Sequence, residues 1–318
     1  MSIRILQPGA QTTVQDLGRF GYQQFGVPAA GAMDPRSLRL ANLLLDNDPG
    51  EAALEITLTG PQIVFDEANY VSLTGGDLGA VLDGKPMPRY QAVLVKPGQT
   101  MRFLGLRNGC RAYLAFAGGL DIPPVMGSRS TYMKARIGGL DGRKLAAGDE
   151  LNFRSPKPDL PFPERRRIGA DFVPQKEYLL RVIPGPQDDH FTEEGLKTFF
   201  SEVYTVSAEF DRMGIRLEGP AVAHKGSGDI ISDGIAFGAV QIPSAGKPII
   251  MAADRQTTGG YTKIAVVISA DFRILGQLRG GDRLRFAPVT VEAAQTAMML
   301  ERQYFQMIRD FLDRDRKH

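Results

Sequence analysis

Asp254-Arg255-Gln256-Thr257-Thr258-Gly259-Gly260-Tyr261-Thr262-Lys263-Ile264-Ala265-Val266-Val267-Ile268 is the stretch that decides the class of fold. Ile264 to Ile268 is a short apolar, largely β-branched run, and a glycine-rich loop leads into it, which is how a buried strand reads. Tyr261 and Lys263 open that strand, and alternation puts their side chains on one face. Just upstream, Pro248 to Ala253 reads as a second apolar strand that delivers Asp254 to the loop. Runs of the same kind recur at Tyr70-Val71-Ser72-Leu73, Ala92-Val93-Leu94-Val95 and Ala112-Tyr113-Leu114-Ala115-Phe116. With 36 Gly and 21 Pro breaking the chain between such runs, the pattern is that of an all-β barrel or sandwich.

Helical signals are few. Pro35 to Leu45 carries apolar residues at helical spacing, and Thr192 precedes an acidic opening and a segment ending at Phe200. From Thr290 to Leu312 there is no Gly or Pro, and Val291, Ala294, Met298, Phe305, Ile308 and Leu312 form a helical stripe. That stripe fits a packing helix or one that receives a partner. Pro156 to Arg167 holds four prolines and a Glu-Arg-Arg-Arg run, and reads as a linker with the triple arginine in solvent. The expected layout is an N-terminal β domain over 1–160, a C-terminal β domain over 168–289 and a C-terminal helix over 290–318. Gly148-Asp149-Glu150-Leu151-Asn152-Phe153 is echoed by Gly281-Asp282-Arg283-Leu284-Arg285-Phe286, each expected to be a closing turn followed by a strand.

A chain of 318 residues that is 43% hydrophobic can bury a core large enough for about two domains at ~100–200 residues each. Lys and Arg total 38 against 36 for Asp and Glu, so no net field gathers nucleic acid or an anionic membrane. The lone Cys110 fits a buried thiol in a reducing compartment. With neither a signal-peptide h-region nor a run of about 20 apolar residues, the expected compartment is the cytoplasm. Gly79 to Lys85 has the spacing of a phosphate-binding loop, but Pro86 stands where a Mg²⁺-binding hydroxyl belongs, so Leu82-Asp83-Gly84-Lys85 reads as a hairpin turn. His190, His224 and His318 have no ligand-spaced partners, so no metal site is expected.

Three clusters of polar residues sit in glycine-rich turns, where backbone can approach a ligand. The first, Thr13-Val14-Gln15-Asp16-Leu17-Gly18-Arg19-Phe20-Gly21-Tyr22, offers an amide, a carboxylate and a guanidinium, or else an internal pair that fixes a loop. The second joins Gly185-Pro186-Gln187-Asp188 to Asp211-Arg212-Met213-Gly214-Ile215-Arg216-Leu217. There Arg212 suits a carboxylate or carbonyl oxygen, and a salt bridge to Asp188 or Asp211 is the plain alternative. The third runs from Ser232-Asp233-Gly234-Ile235 through Gln241-Ile242-Pro243 to the stretch quoted first. An acid, hydroxyls, a phenol and an ammonium gathered there suit polarising an amide carbonyl and moving a proton, as lactam or ureido chemistry demands. A structural Asp–Lys pair is the other reading.

At these residues the chain resembles the family variously labelled biotin-dependent carboxyltransferase, allophanate hydrolase subunit 2, Kip antagonist and the C-type subunit of 5-oxoprolinase. The matching strings run in order from Thr13 to Ile264 and include Gly-Pro-Gln-Asp, Asp-Arg-Met-Gly-Ile-Arg-Leu and Gln-Ile-Pro-x-x-Gly-x-Pro-Ile-Ile. The resemblance implies a mainly β chain of two cyclophilin-like β-barrel domains with a few short helices, and a cleft between them lined by the three clusters. It also implies work with the B and A subunits of 5-oxoprolinase, in which ATP hydrolysis drives opening of 5-oxoproline to glutamate. Asp254, Lys263, Tyr261 and Arg212 become the candidate catalytic residues. Gln15, Asp16, Arg19, Gln187, Asp233, Gln241, Thr258, Gly259 and Gly260 become the candidate substrate-binding ones. Asp233 departs from the glutamate expected in Ser-Glu-Gly-Ile. The alternatives are carboxyl transfer from carboxybiotin to a urea-like amine, with biotin arriving on another protein, or a regulatory binder without chemistry. ATP is expected on a partner or at a shared interface.

Overall fold

The computed structural model describes residues 2–313; His318 and the other positions after Asp313 lie outside them. The chain forms two compact units. Among the described residues, one comprises 2–19, Ala30–Pro174 and 304–313; the other comprises Phe20–Ala29 and Gln175–Gln303.

In the first unit, strands β1 (Ile3–Gln7), β2 (Gln11–Gln15), β3 (Ala53–Thr57), β4 (Gln62–Phe65), β5 (Asn69–Asp77), β6 (Ala80–Leu82), β7 (Lys85–Pro86), β8 (Ala92–Val95), β9 (Thr100–Phe103), β10 (Asn108–Phe116) and β11 (Glu150–Leu151) make two sheets. Their orders are β11-β1-β4-β9-β6-β7 and β2-β3-β10-β5-β8. Ile3, Ile63, Phe65 and Met101 of one sheet share a core with Leu54, Val71, Leu114 and Phe116 of the other, so the apolar alternation of each strand is used up between the layers. Helix α1 (Pro35–Leu44) packs on β5 and β10; its start is set by Pro35 in the first turn and by Asp34, whose side chain accepts from the Ser37 amide. Asp83 and Gly84 both have positive φ and join β6 to β7 as a two-residue hairpin, as the stretch 79–85 was read.

The region expected to be a linker is instead packed onto this unit. Leu160 sits in a core cluster and Arg166 is buried, its Nε donating to the Pro161 carbonyl at 2.8 Å, so only part of the arginine run faces solvent. The boundary falls at Pro174, later than the prolines suggest, because prolines also suit a chain laid flat against a sheet edge.

In the second unit, β12 (Tyr178–Pro184), β13 (Tyr204–Phe210), β14 (Gly214–Glu218), β15 (Asp229–Gly234), β16 (Ala239–Ile242), β17 (Ile249–Met251), β18 (Thr258–Val267) and β19 (Arg283–Pro288) form one sheet in the order β12-β19-β13-β14-β17-β16-β18-β15. A further pairing of β12 with β18 closes seven of these strands on themselves, leaving β15 as an edge. The β11/β19 echo therefore has two outcomes. Both Gly-Asp turns are alike, with Asp149 and Asp282 accepting from the amides of Ala146 and Arg279, but β11 is a sheet edge whereas β19 lies inside the closed ring. Helix α2 (Glu193–Ser201) is capped by Thr192, α3 (Phe272–Leu275) is a single turn, and α4 (Val291–Asp313) sends Tyr304, Phe305, Ile308 and Leu312 onto Leu40, Leu43, Tyr90 and Ile168 of the first unit's core. No described helix is long and apolar enough to cross a membrane.

Candidate functional site

Four neighbouring strands of the second unit carry a cross-strand row. Arg216 of β14 is opposite Ile249 of β17, Ile249 is opposite Gln241 of β16, and Gln241 is opposite Lys263 of β18. Directly opposed residues point to the same face, so these side chains stand side by side at a strand spacing of ~4.8 Å. The last step needs an irregularity. Val240 pairs with Ala265 but Gln241 pairs with Lys263, so one extra residue, Ile264, is inserted in β18. Without that bulge Gln241 would meet Ile264, and the ammonium would be turned to the other face.

A pocket of about 520 Å³ opens on this face. Met213, Ile249 and Met251 supply apolar walls; Gln241, Gln256 and Tyr261 supply polar groups, with Glu209 and Arg216 among its other lining residues. Gln241 is only 2% exposed, and its Nε2 has no hydrogen-bond partner among the described residues. A buried amide nitrogen left so is costly, on the order of 1–3 kcal/mol, and marks a place where an acceptor is missing. Gly259 makes room for it. A Cβ there would stand 3.0 Å from the Gln241 Nε2, 2.9 Å from the Gln256 Nε2 and 2.7 Å from the Ile235 side chain, so both amides close over a residue without a side chain.

Lys263 is nearly fully buried and its Nζ lies 3.1 Å from Asp233 Oδ2, a carboxylate whose side chain is 54% exposed. The hydrogen bond from Lys263, with help from the Gly234 amide, holds the Asp233 carboxyl below its ordinary range. Gln187 braces the pair: its side-chain oxygen accepts from the Lys263 amide at 3.2 Å and its Nε2 reaches Asp233 at 3.4 Å. The Gly-Pro-Gln string works because Gly185 lies against β18, where a Cβ would come within 2.1 Å of the Lys263 carbonyl oxygen.

Arg212 and Asp254 form a separate, buried bidentate pair, with Nε–Oδ2 at 3.0 Å and Nη2–Oδ1 at 2.8 Å. Among the described residues neither lines the pocket, although Asp211 and Met213 do. The pair, with the Asp254 amide on the Arg212 carbonyl, ties the turn after β13 to the loop after β17. Next to it the buried Arg255 donates to the Ile235 carbonyl at 2.9 Å, and burial lowers its pKa to about 10 against the pull of Asp254. Thr258, Gly259 and Gly260 are not in a loop, as their glycines suggested, but open β18 and pair with β15 through Gly259–Asp233 and Thr258–Gly234.

Gln15, Asp16 and Arg19 belong to the first unit, where they anchor the segment 125–131. Asp16 accepts from Ser128, Ser130 and the Arg129 amide at 2.5–2.7 Å, Arg19 donates to the Val125 and Ser130 carbonyls, and Gln15 to the Thr131 carbonyl. Those partners lie more than a hundred residues away in sequence, so spacing gave no sign of them. Arg216 and Gln256 were also missed as pocket residues; the alternation Gly214, Arg216 along β14 was the available signal.

The family model for the carboxyltransferase domain, subdomain A and B, matches residues 25–288. The chain belongs to this carboxyltransferase family. It is 37% identical over 310 residues to the C-type subunit of 5-oxoprolinase from Escherichia coli, covering 96% of this chain and 97% of that protein. It is also 37% identical to urea amidolyase of Saccharomyces cerevisiae, covering 93% of this chain but 17% of that much longer protein. The crystal structure of K. lactis urea amidolyase superposes with a TM-score of 0.89 at 31% identity, over 96% of this chain and 20% of that one. The carboxyltransferase fold thus occurs both as a protein of this length and as part of a larger chain.

Proposed function

We propose that this carboxyltransferase-family chain is the C-type component of an ATP-dependent 5-oxoprolinase, opening 5-oxoproline to glutamate with the A and B subunits and inactive alone. The observation that carries this reading is the end-to-end match to the E. coli 5-oxoprolinase component, set against a match to only 17% of the yeast urea amidolyase.

The pocket supplies suitable chemistry. The lactam carbonyl oxygen accepts from the Gln241 Nε2, which has no partner among the described residues. Tyr261 lines the pocket with its phenol, and Lys263, on the same face of β18 but behind the pocket lining and paired with Asp233, adds a positive charge near the oxygen and nitrogen whose charge changes as the C–N bond opens. Asp233 and Gln187 position Lys263, and Arg212 with Asp254 holds the adjoining wall. Thr258, Gly259 and Gly260 shape the strand beneath the substrate, and Gln15, Asp16 and Arg19 fix the 125–131 segment within the first unit. The stretch with phosphate-loop spacing is a hairpin, and in this reading ATP is held by a partner or at a shared interface. The compartment that goes with this reading is the cytoplasm.

The second reading, carboxyl transfer to a urea-like amine, draws on the urea amidolyase likeness. Gln241 would face the ureido oxygen of carboxybiotin, which would supply the activated carboxyl group. Glutamate release from 5-oxoproline and ATP, measured for this chain alone and with candidate A and B subunits, tests between them. Release only from the mixture is expected; none from any mixture would sink the 5-oxoprolinase reading.

A further inference from the structure

We infer that Arg216 is the specificity residue of this pocket, reading a carboxylate on the substrate and so selecting an anionic lactam over a neutral amide or urea. The inference rests on the proposed function and names which part of 5-oxoproline each end of the pocket receives.

Arg216 stands in the same cross-strand row as Gln241, two strands away across Ile249. Two strand spacings put their backbones roughly 10 Å apart. Both side chains line the same pocket, so a small molecule between them meets a neutral donor at one end and a guanidinium at the other. Between them lie Ile249 and the nearby Met251, which suit the methylene edge of a saturated ring. A substrate that touched Gln241 alone would need only a carbonyl oxygen. The second end, where Arg216 stands beside Glu209 and Asp211, suits a ligand that also carries a negative charge.

Arg216 is available for that use. Its contact is Glu209, at 3.4 Å, and both side chains are largely exposed, 58% and 82%. Such a pair contributes little and exchanges readily. The Glu209 carboxylate approaches the guanidinium through one contact, at Nε, and leaves the rest of the fork to a substrate carboxylate, with which it competes for charge. This contrasts with Arg212, whose guanidinium is held by the buried Asp254. Of the two arginines in Asp-Arg-Met-Gly-Ile-Arg, one builds the wall and the other faces the ligand.

The experiment uses the full chain assembled with its partner proteins. Arg216→Gln is expected to raise KM for 5-oxoproline about 10- to 100-fold, the usual effect of losing a charge-assisted contact, with kcat within about threefold. Preference for 5-oxoproline over the neutral competitor 2-pyrrolidinone should collapse by the same factor, and Arg216→Lys should restore part of it. Glu209→Gln, which removes the competing carboxylate, should lower KM. An unchanged KM and preference in Arg216→Gln would overturn the inference while leaving the proposed function standing. If the wild-type assembly releases no glutamate, the proposed function fails. Calorimetry of 5-oxoproline against the full chain then decides: binding weakened by Arg216→Gln upholds the carboxylate site, and binding that is absent or indifferent to the substitution overturns it.

Discussion

Replacing Gln241 with leucine should separate function from stability. Among the described residues the Gln241 Nε2 has no partner, so an apolar substitute of similar size removes a buried unsatisfied donor, and urea unfolding should show stability unchanged or raised by up to ~1 kcal/mol. Turnover of 5-oxoproline by the assembled enzyme should fall at least about tenfold, since a lost hydrogen bond to the carbonyl is worth that much. Equal losses of stability and activity would mean that the amide is structural. Asp233 gives a second residue-level test. Its carboxyl is held below the ordinary value by Lys263, so the ion pair is fully present above the unfolded-state pKa and is lost as pH falls through the lower folded value. In an NMR titration the Asp233 midpoint should lie below ~3.9 in the wild type and rise toward it in Lys263→Met. A midpoint indifferent to Lys263 would show that the contact does not persist in solution.

The bulge in β18 and the glycine below it matter for how strands, not single residues, build the pocket. Gly259→Ala would press a methyl group on the ends of Ile235, Gln241 and Gln256. These are flexible side-chain ends, so about 1 kcal/mol or less of stability should be lost while activity drops several-fold as the amides are displaced. The Arg212–Asp254 pair links two turns and is buried, so Asp254→Asn should cost ~3–5 kcal/mol by leaving Arg212 without its counter-charge. A loss of unfolding free energy below a quarter of that size would show the pair to be weak. At this scale the sequence was most readable. The apolar runs at 70–73, 92–95 and 112–116 lie in strands, as does the run from Ile264 up to Val267; the helices at Pro35 and Thr192 begin where the proline and the cap place them, and a third fills the Gly- and Pro-free stretch from Val291. Two features were not readable. The insertion at Ile264 is invisible in a run of five apolar residues, because pairing partners and not composition define a bulge. Arg216 looks like any exposed strand arginine until its neighbours across β17 and β16 are known.

For the whole molecule, the two units interleave along the chain. Phe20–Ala29 belongs with the second unit although the first has only begun, and the end of α4 returns to the first. Composition could not show this, since the proline-rich stretch that looked like the boundary is packed against the first unit, and the segment at 20–29 carries no mark of its allegiance. A chain ended after Gln303 loses Tyr304, Phe305, Ile308 and Leu312 from their cluster with Leu40, Leu43 and Tyr90. With Ile308 buried and the other three partly so, the first unit should be destabilised by about 4 kcal/mol, seen as an earlier unfolding transition; an unshifted transition would mean the helix end is dispensable. The same arrangement bears on synthesis. The ribosome delivers Leu40, Leu43 and Tyr90 early, yet the helix end that covers them emerges only after all of the second unit has been made, which at ~5–20 residues per second is an interval on the order of ten seconds. Through that interval a nascent chain carries an uncovered apolar patch on an otherwise finished surface, and that patch is where a chaperone would find it.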